Sequence, residues 1–532
     1  MYDILIKNGT IIDGSGGEPF VGFVGISGDT IKEIGKDPDG SRVGAGGSPR
    51  GKLEIDASGK YITPGFIDIT SHFDTTWSLF DYPGAESLLA QGVTTVIGGN
   101  CGTSLAPLAS HFAIRSLQKW TDVTKINISW ATMKEFLNEV SRKKIGVNFG
   151  TLAGYGTIRR GIVGEDIREL TPEETKKVAF LVNEAMEDGA FGVSTGRTNA
   201  HENIASEQEL IAMAREIAGF KGVYKTHLKS ESFDILPAIN EAVNIGKETK
   251  VSVAISHLKT IGRRSWHYTT NALEMIDRAR ENGVDIHFDV FPYARTGSHL
   301  YQLLPRWARE GGFLKIFERI KDPVQKETLI RDLRTGTLKA EKIIIASADN
   351  PHVVGHTLKE ISEETGLKVE EVILSLLLSN SGRVTIFGKT LSPRRVKELI
   401  AHPLSIIASD GSSYTTDVQK TGNLIHPRSF GAFVHFLHKY VRDMKLISWQ
   451  EAVKKITSAP AGKIGIKDRG LLKERYKADV VVFDPITLHD RSNYFDPHHY
   501  ATGVEWVMVN GIAAVEKGTI KNTGAGRVLR RI

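Results

Sequence analysis

The sequence predicts an α/β fold: a (β/α)8 TIM-type barrel with a small β-sandwich domain formed from both chain termini and a helical insertion near the barrel mouth. Three observations lead there. Apolar β-branched runs alternate with amphipathic segments through the middle of the chain, the pattern of parallel strands joined by helical crossovers. Both ends carry short strands broken by glycine turns instead. Residues able to bind metal or move protons recur where the middle strands stop, which is where a parallel barrel builds its active site. At 532 residues the chain exceeds one ordinary core, so a barrel with a satellite domain is the natural partition.

In chain order, residues 4–7, 10–12, 21–26 and 30–34 read as strands of a small sheet, followed by a Gly-rich surface loop at 44–51. Barrel strands are expected at 63–68, 93–98, 146–152, 191–195, 223–226, 251–256, 284–290 and 404–409, with crossover helices at 174–187 and 236–245. A charged, helical excess at 301–338 reads as an insertion at about 300–340. The end of the chain returns to strands, at 479–483 and 504–509. The expected partition is therefore 1–62 and 466–532 for the two parts of the sandwich, and 63–465 for the barrel.

A content of 40% hydrophobic and 24% charged residues is that of a soluble globular protein. The net charge of +6 comes without a dense Lys/Arg block, so no nucleic-acid partner is expected, and Arg527, Arg530 and Arg531 read as a solvated tail. A single cysteine excludes an internal disulfide. The opening residues begin directly as a strand without the pattern of a signal peptide, and the most apolar stretch, 373–378, is too short to cross a bilayer. A cytoplasmic, membrane-independent protein is the expectation.

The strand ends carry the chemistry. Asp68, His72 and Asp74 follow the first barrel strand, and Asn100-Cys101-Gly102 follows the second. His227 ends the fifth, His257 the sixth and Asp410 the eighth. Thiolate, imidazole and carboxylate are the ligand types zinc prefers. One histidine among 17 says little, but five capable residues at strand ends together indicate a metal site.

Longer passages share a pattern with a known family. They are Pro64-Gly-Phe-Ile-Asp68, Gln91-Gly-Val-Thr-Thr95 running into Gly99-Asn-Cys-Gly102, Gly192-Val-Ser-Thr-Gly196, Thr226-His-Leu-Lys-Ser-Glu231 and Ser256-His-Leu-Lys259. Phe291-Pro-Tyr293, Leu304-Pro-Arg-Trp307, Ser409-Asp-Gly411, His426-Pro-Arg428, Lys477-Ala-Asp479 and Val509-Asn-Gly511 continue them. On these the chain resembles, along nearly its whole length, the D-aminoacylases, the N-acyl-D-amino-acid deacylases of the amidohydrolase superfamily.

The resemblance implies that Cys101, His227 and His257 hold one tightly bound Zn2+, with Asp410 as general base and a small anionic N-acyl-D-amino acid as substrate. In the family a second, weaker metal sits between a His-X-His pair, the same cysteine and the eighth-strand aspartate. Here His72 is present but Thr70 stands two residues before it, on the same side of the strand, so the second site is expected to be impaired. His72 is left either near the metal or orienting water. The resemblance also implies Lys259, Tyr293, Ser298 and Arg428 as the grip on the substrate carboxylate. Arg295 either adds a charge there or is a solvated loop residue.

Two other readings stay open. A cyclic-amide hydrolase resembling hydantoinases or dihydroorotases needs a complete His-X-His and a carboxylated lysine, where this chain has Ser194-Thr195-Gly196. A metal-free scaffold is the other; retention of Cys101, His227, His257 and Asp410 together argues against it.

Overall fold

The computed structural model describes residues 1–36, 49–335 and 339–531; most of the expected Gly-rich loop at 44–51, and residues 336–338 of the expected insertion, lie outside them. The first strands are β1 (Tyr2–Ile11), β2 (Phe20–Ser27), β3 (Thr30–Lys36), β4 (Gly51–Asp56) and β5 (Tyr61–Pro64). The two pieces expected at 4–7 and 10–12 are one strand, irregular between Ile6 and Gly9, where Asn8 adopts a φ of 63°.

The barrel strands are β6 (Phe66–Asp68), β7 (Val93–Gly98), β8 (Asn148–Thr151), β9 (Ala153–Gly154), β10 (Gly192–Gly196), β11 (Val223–His227), β12 (Ser252–Ile255) and β13 (Ile286–Val290). After them come β14 (Thr296–His299), β15 (Ile343–Ser347) and β16 (Thr385–Gly388), and then the last barrel strand, β17 (Ser405–Ile407). All barrel pairings are parallel. One strand is split at Leu152: β8 pairs back to β7 and β9 pairs onward to β10. The ring closes through a parallel bridge between Ser71 and Gly411, where the His72 N–H donates to the Gly411 carbonyl at 2.7 Å. Counting β8 with β9 as one, the described residues give eight staves, the (β/α)8 barrel.

The strand expected over 63–68 divides between two sheets, because Thr63 pairs with Val481 outside the barrel while Phe66 pairs with Val93 inside it. The crossover helices lie close to their expected places, at Pro172–Glu187 and Ile235–Thr249. The first starts where it does because the Thr171 side chain accepts from the Glu174 N–H while the Glu174 carboxylate accepts from the Thr171 N–H.

The insertion is larger than the expected 300–340 and is not purely helical. It runs from β14 to β16, with β16 pairing antiparallel to both β14 and β15, and it holds the helices Gly312–Lys321, Pro323–Thr335, Leu358–Thr365 and Val369–Ser379. Leu300, Leu329, Ile373 and Leu377 belong to a core of its own. Its first strand, Thr-Gly-Ser-His, lacks the apolar alternation that marks a strand in sequence.

The last strands are β18 (Val480–Phe483), β19 (Val504–Val509), β20 (Ile512–Glu516) and β21 (Thr519–Ile520). They join the opening strands in one sheet of order β21-β20-β19-β18-β5-β1-β2-β3, with β4 on β1. Side chains alternate across β18: Val480 and Val482 pack with Ile4, Ile6 and Ile62, while Val481 and Phe483 pack with the barrel core. Arg527 is exposed and pairs with Asp29 at the surface, but Arg530 and Arg531 are not a solvated tail. Leu529 donates to the Phe149 carbonyl at 2.7 Å, and the Arg531 guanidinium donates to the Ile464 carbonyl at 2.8 Å and the Phe220 carbonyl at 2.9 Å. Among the described residues no helix is long and apolar enough to cross a membrane.

Candidate active site

The ends of β7, β11 and β12 bring Cys101, His227 and His257 together, with their ligand-capable atoms all within 4.8 Å of one another. The Cys101 Sγ lies 3.4 Å from the His257 Nε2. Burial alone would push the thiol up, but the facing His257, His227 and His72 rings hold it well below its usual value, which favours the thiolate. A soft anion with two imidazoles, Cys101 and His257 buried and His227 half-buried, is a donor set that fits zinc.

Local backbone aims these side chains. Cys101, His257 and Asp410 have φ of 53°, 35° and 51°, a region in which L-residues are strained. Neighbours hold each turn: Ser194 Oγ accepts from the Gly102 N–H at 3.0 Å, Asp289 from the His257 N–H at 2.7 Å, and Ser409 Oγ from the Gly411 N–H at 2.9 Å. Asn100 ties the β7 loop to the β6 loop by donating to the Ser71 and Ile97 carbonyls at 3.1 and 2.8 Å.

Around the three ligand candidates sits a polar shell. The Glu231 Oε1 lies 3.2 Å from the His257 Nδ1 and 3.4 Å from the His227 Nε2, and it also pairs with Lys259. A carboxylate on the outer nitrogen of a ligating histidine fixes its tautomer and orientation. Sequence reasoning missed Glu231, although its spacing of four from His227 was the available signal.

Asp410 faces the cluster from the eighth strand end. One carboxylate oxygen is 3.3 Å from the His72 Nε2 and the other 2.6 Å from the Arg428 Nη1. Burial opposes its charge, but Arg428, His257 and His72 outweigh it and hold the carboxyl well below the usual range. It is an anion at neutral pH. His72 is thus placed beside Asp410, with its other nitrogen 3.1 Å from the Thr75 hydroxyl.

The expected carboxylate grip is only partly assembled. Arg428 is at the site, and a Cβ at Gly297 would stand 3.5 Å from its second guanidinium nitrogen, so the bare glycine leaves room there. Lys259 is engaged by Glu231 and lies 2.8 Å from the His257 Nδ1. Alternation along the regular strand β14 turns Gly297 and His299 to one face and Thr296 and Ser298 to the other, so Ser298 faces away from Arg428. Tyr293 stacks on His435 at 4.4 Å and meets His426 and Tyr494 edge-on; none of the three belongs to the metal cluster. Arg295 lies over the Tyr494 ring at 5.1 Å rather than in solvent.

Two residues absent from the sequence reading border the site. The Trp120 ring stacks on His72 at 4.7 Å and meets His299 edge-on at 4.6 Å. Among the described residues, the buried Trp120 Nε1 and both buried ring nitrogens of His299 have no hydrogen-bond partner. Burial lowers His299 to about 3, so its ring is neutral. A cavity beside Gly102 and Thr198 is lined by Lys119, Arg115, Arg160, Arg309 and Glu202, with Arg115 and Arg160 paired to Glu165. A separate cluster, His435 and His438 each 2.7 Å from Asp490, lies behind Tyr293.

Residues 53–513 match the profile described as the amidohydrolase family. An N-acyl-D-aspartate deacylase of Alcaligenes xylosoxydans xylosoxydans is 30% identical, over 96% of this chain and 91% of that protein. A D-aminoacylase of the same organism is 29% identical, over 100% of this chain and 98% of that one. A solved D-aminoacylase, described for its binuclear metal centre with one-metal activation and second-metal attenuation, covers 100% of both chains at 29% identity and a TM-score of 0.83. An N-acyl-D-glutamate deacylase from Bordetella bronchiseptica, complexed with zinc and a phosphonate mimic of the tetrahedral intermediate, gives a TM-score of 0.82 at 27% identity over 99% of both.

Proposed function

The chain belongs to the amidohydrolase family, and from that premise we propose that it is a metal-dependent hydrolase cleaving the amide bond of N-acyl-D-amino acids. Water adds across the C–N bond, giving a carboxylic acid and a free D-amino acid. The observation that carries this reading is the Cys101-His227-His257 cluster with ionised Asp410 facing it. The proposed metal is zinc, one per chain, held by these three residues. When bound it supplies Lewis acidity, activating water and polarising the amide carbonyl.

The chain's own residues do the rest. Glu231 orients His257 and His227. Asp410 accepts the proton of the attacking water and returns it to the leaving nitrogen. His72 and Arg428 hold the two Asp410 oxygens, so the carboxylate is positioned before substrate arrives. The Arg428 nitrogen turned to Gly297 is the proposed contact of the substrate carboxylate, with the cationic cavity favouring an anionic substrate.

The test is a panel of N-acetyl-D- and N-acetyl-L-amino acids. D-enantiomers are expected to be cleaved and L-enantiomers poorly. Equal rates on both, or activity confined to hydantoins, would overturn the reading.

A further inference from the structure

Lys225 is two residues before His227 on β11, hence on the same inward face, and its side chain is fully buried. Its ammonium donates to the Thr70 hydroxyl at 2.6 Å, the Asp289 carboxylate at 2.8 Å and the Ser256 hydroxyl at 2.9 Å. That uses all three of its protons. Asp289, also fully buried, accepts the His257 N–H with its other oxygen. The group thus ties β11, β12 and β13 to the segment after β6, and the proposed hydrolysis makes no use of it.

Thr70 lies in the bend after β6, two residues before His72, at the position where the resemblance puts the partner imidazole of a second metal. Its hydroxyl is already committed to Lys225. The remaining donors are committed too: Asp410 is shared between His72 and Arg428. A second divalent cation would have to enter between a buried ammonium and a buried guanidinium, where like charges repel strongly because little water screens them. The residues present therefore do not fit a second metal.

We infer that the Lys225 ammonium, fastened by Thr70, Asp289 and Ser256, is a built-in cation that takes the place of a second metal, making the centre mononuclear and indifferent to excess metal. The inference rests on the proposed one-metal site at Cys101, His227 and His257. Its test is a metal count, which does not depend on which amide the enzyme cleaves.

Zinc titration followed by gel filtration and elemental analysis is expected to give one zinc per wild-type chain. Wild-type turnover of whatever substrate the panel identifies should stay flat as zinc is raised further. Thr70→His alone should still bind one, because the ammonium remains. Lys225→Met alone leaves Asp289 buried and unpaired, so the informative variant is Thr70→His/Lys225→Met/Asp289→Asn, which removes both charges and restores the imidazole. It is expected to bind a second, weaker zinc. Two zincs in the wild type, a second zinc in Thr70→His alone, or only one in the triple variant with its first site filled would each overturn the inference. A triple variant that binds none is replaced by Thr70→His/Lys225→Ala/Asp289→Ala, which must then show the second zinc for the inference to stand.

Discussion

At the scale of single residues, the site works by holding charged groups where their charge is most useful. Asp410 is buried yet ionised, because Arg428 and His72 bind its two oxygens. Asp410→Asn keeps the shape and removes the basic oxygen. Turnover is expected to fall about 10²–10⁴-fold, the usual contribution of a positioned acid–base group. The metal content should stay at one, since Asp410 is not among the three clustered ligand candidates; loss of the metal, or an unchanged rate, would move the base elsewhere. Cys101, His227, His257 and Asp410 were legible in the sequence because each ends a barrel strand and a parallel barrel gathers its strand ends. Glu231, Lys225 and Asp289 were not. Lys225 and Asp289 lie inside strands that the sequence marks, and Glu231 in a polar stretch after one, but only the folded structure shows that each is buried against a partner.

At the scale of elements, the insertion brings residues to the barrel mouth. β14 is short and carries little hydrophobic pattern, which is why sequence placed the insertion's start after it; Ser298 was named for the substrate grip by the family resemblance alone. Strand alternation turns His299 inward instead, next to Trp120 and on the face that Gly297 shows to Arg428. Buried polar atoms without partners are rare in folded proteins. Three of them, the Trp120 Nε1 and the two His299 ring nitrogens, lie in this corner beside His72. They are therefore expected to contact substrate. His299→Ala should raise KM several-fold with a smaller change in kcat, as when a contact made in both ground and transition states is removed. The Michaelis parameters on the best substrate decide it; an unchanged KM would make the corner a structural wall.

At the scale of the whole molecule, the two chain ends form one sheet, and the sheet is fastened to the barrel by a buried polar junction. Asp479, at the edge of β18, pairs with Arg469 and accepts from the Asn148 side chain at 3.0 Å and the Asn510 N–H at 2.7 Å. Asn510 in turn donates to the Asn148 side chain and the Ala525 carbonyl, both at 2.8 Å. Asn148 opens the barrel strand β8, so this junction joins the barrel to the terminal sheet and the closing segment. The passages around Asp479 and Asn510 stood out in the sequence beside the catalytic ones, but nothing in them distinguishes a fastening from a ligand; their distance from the metal cluster appears only in the fold. Asp479→Ala strands the Arg469 guanidinium, which is 5% exposed, without its counter-charge. Breaking such a pair from one side costs about 3–5 kcal/mol. The variant is expected to unfold several degrees lower while the folded fraction keeps its single metal and its kcat, because no ligand or acid–base group touches the junction. Thermal unfolding followed alongside metal content and turnover separates the two roles: a normal Tm with lost activity would place Asp479 in the chemistry rather than in the frame.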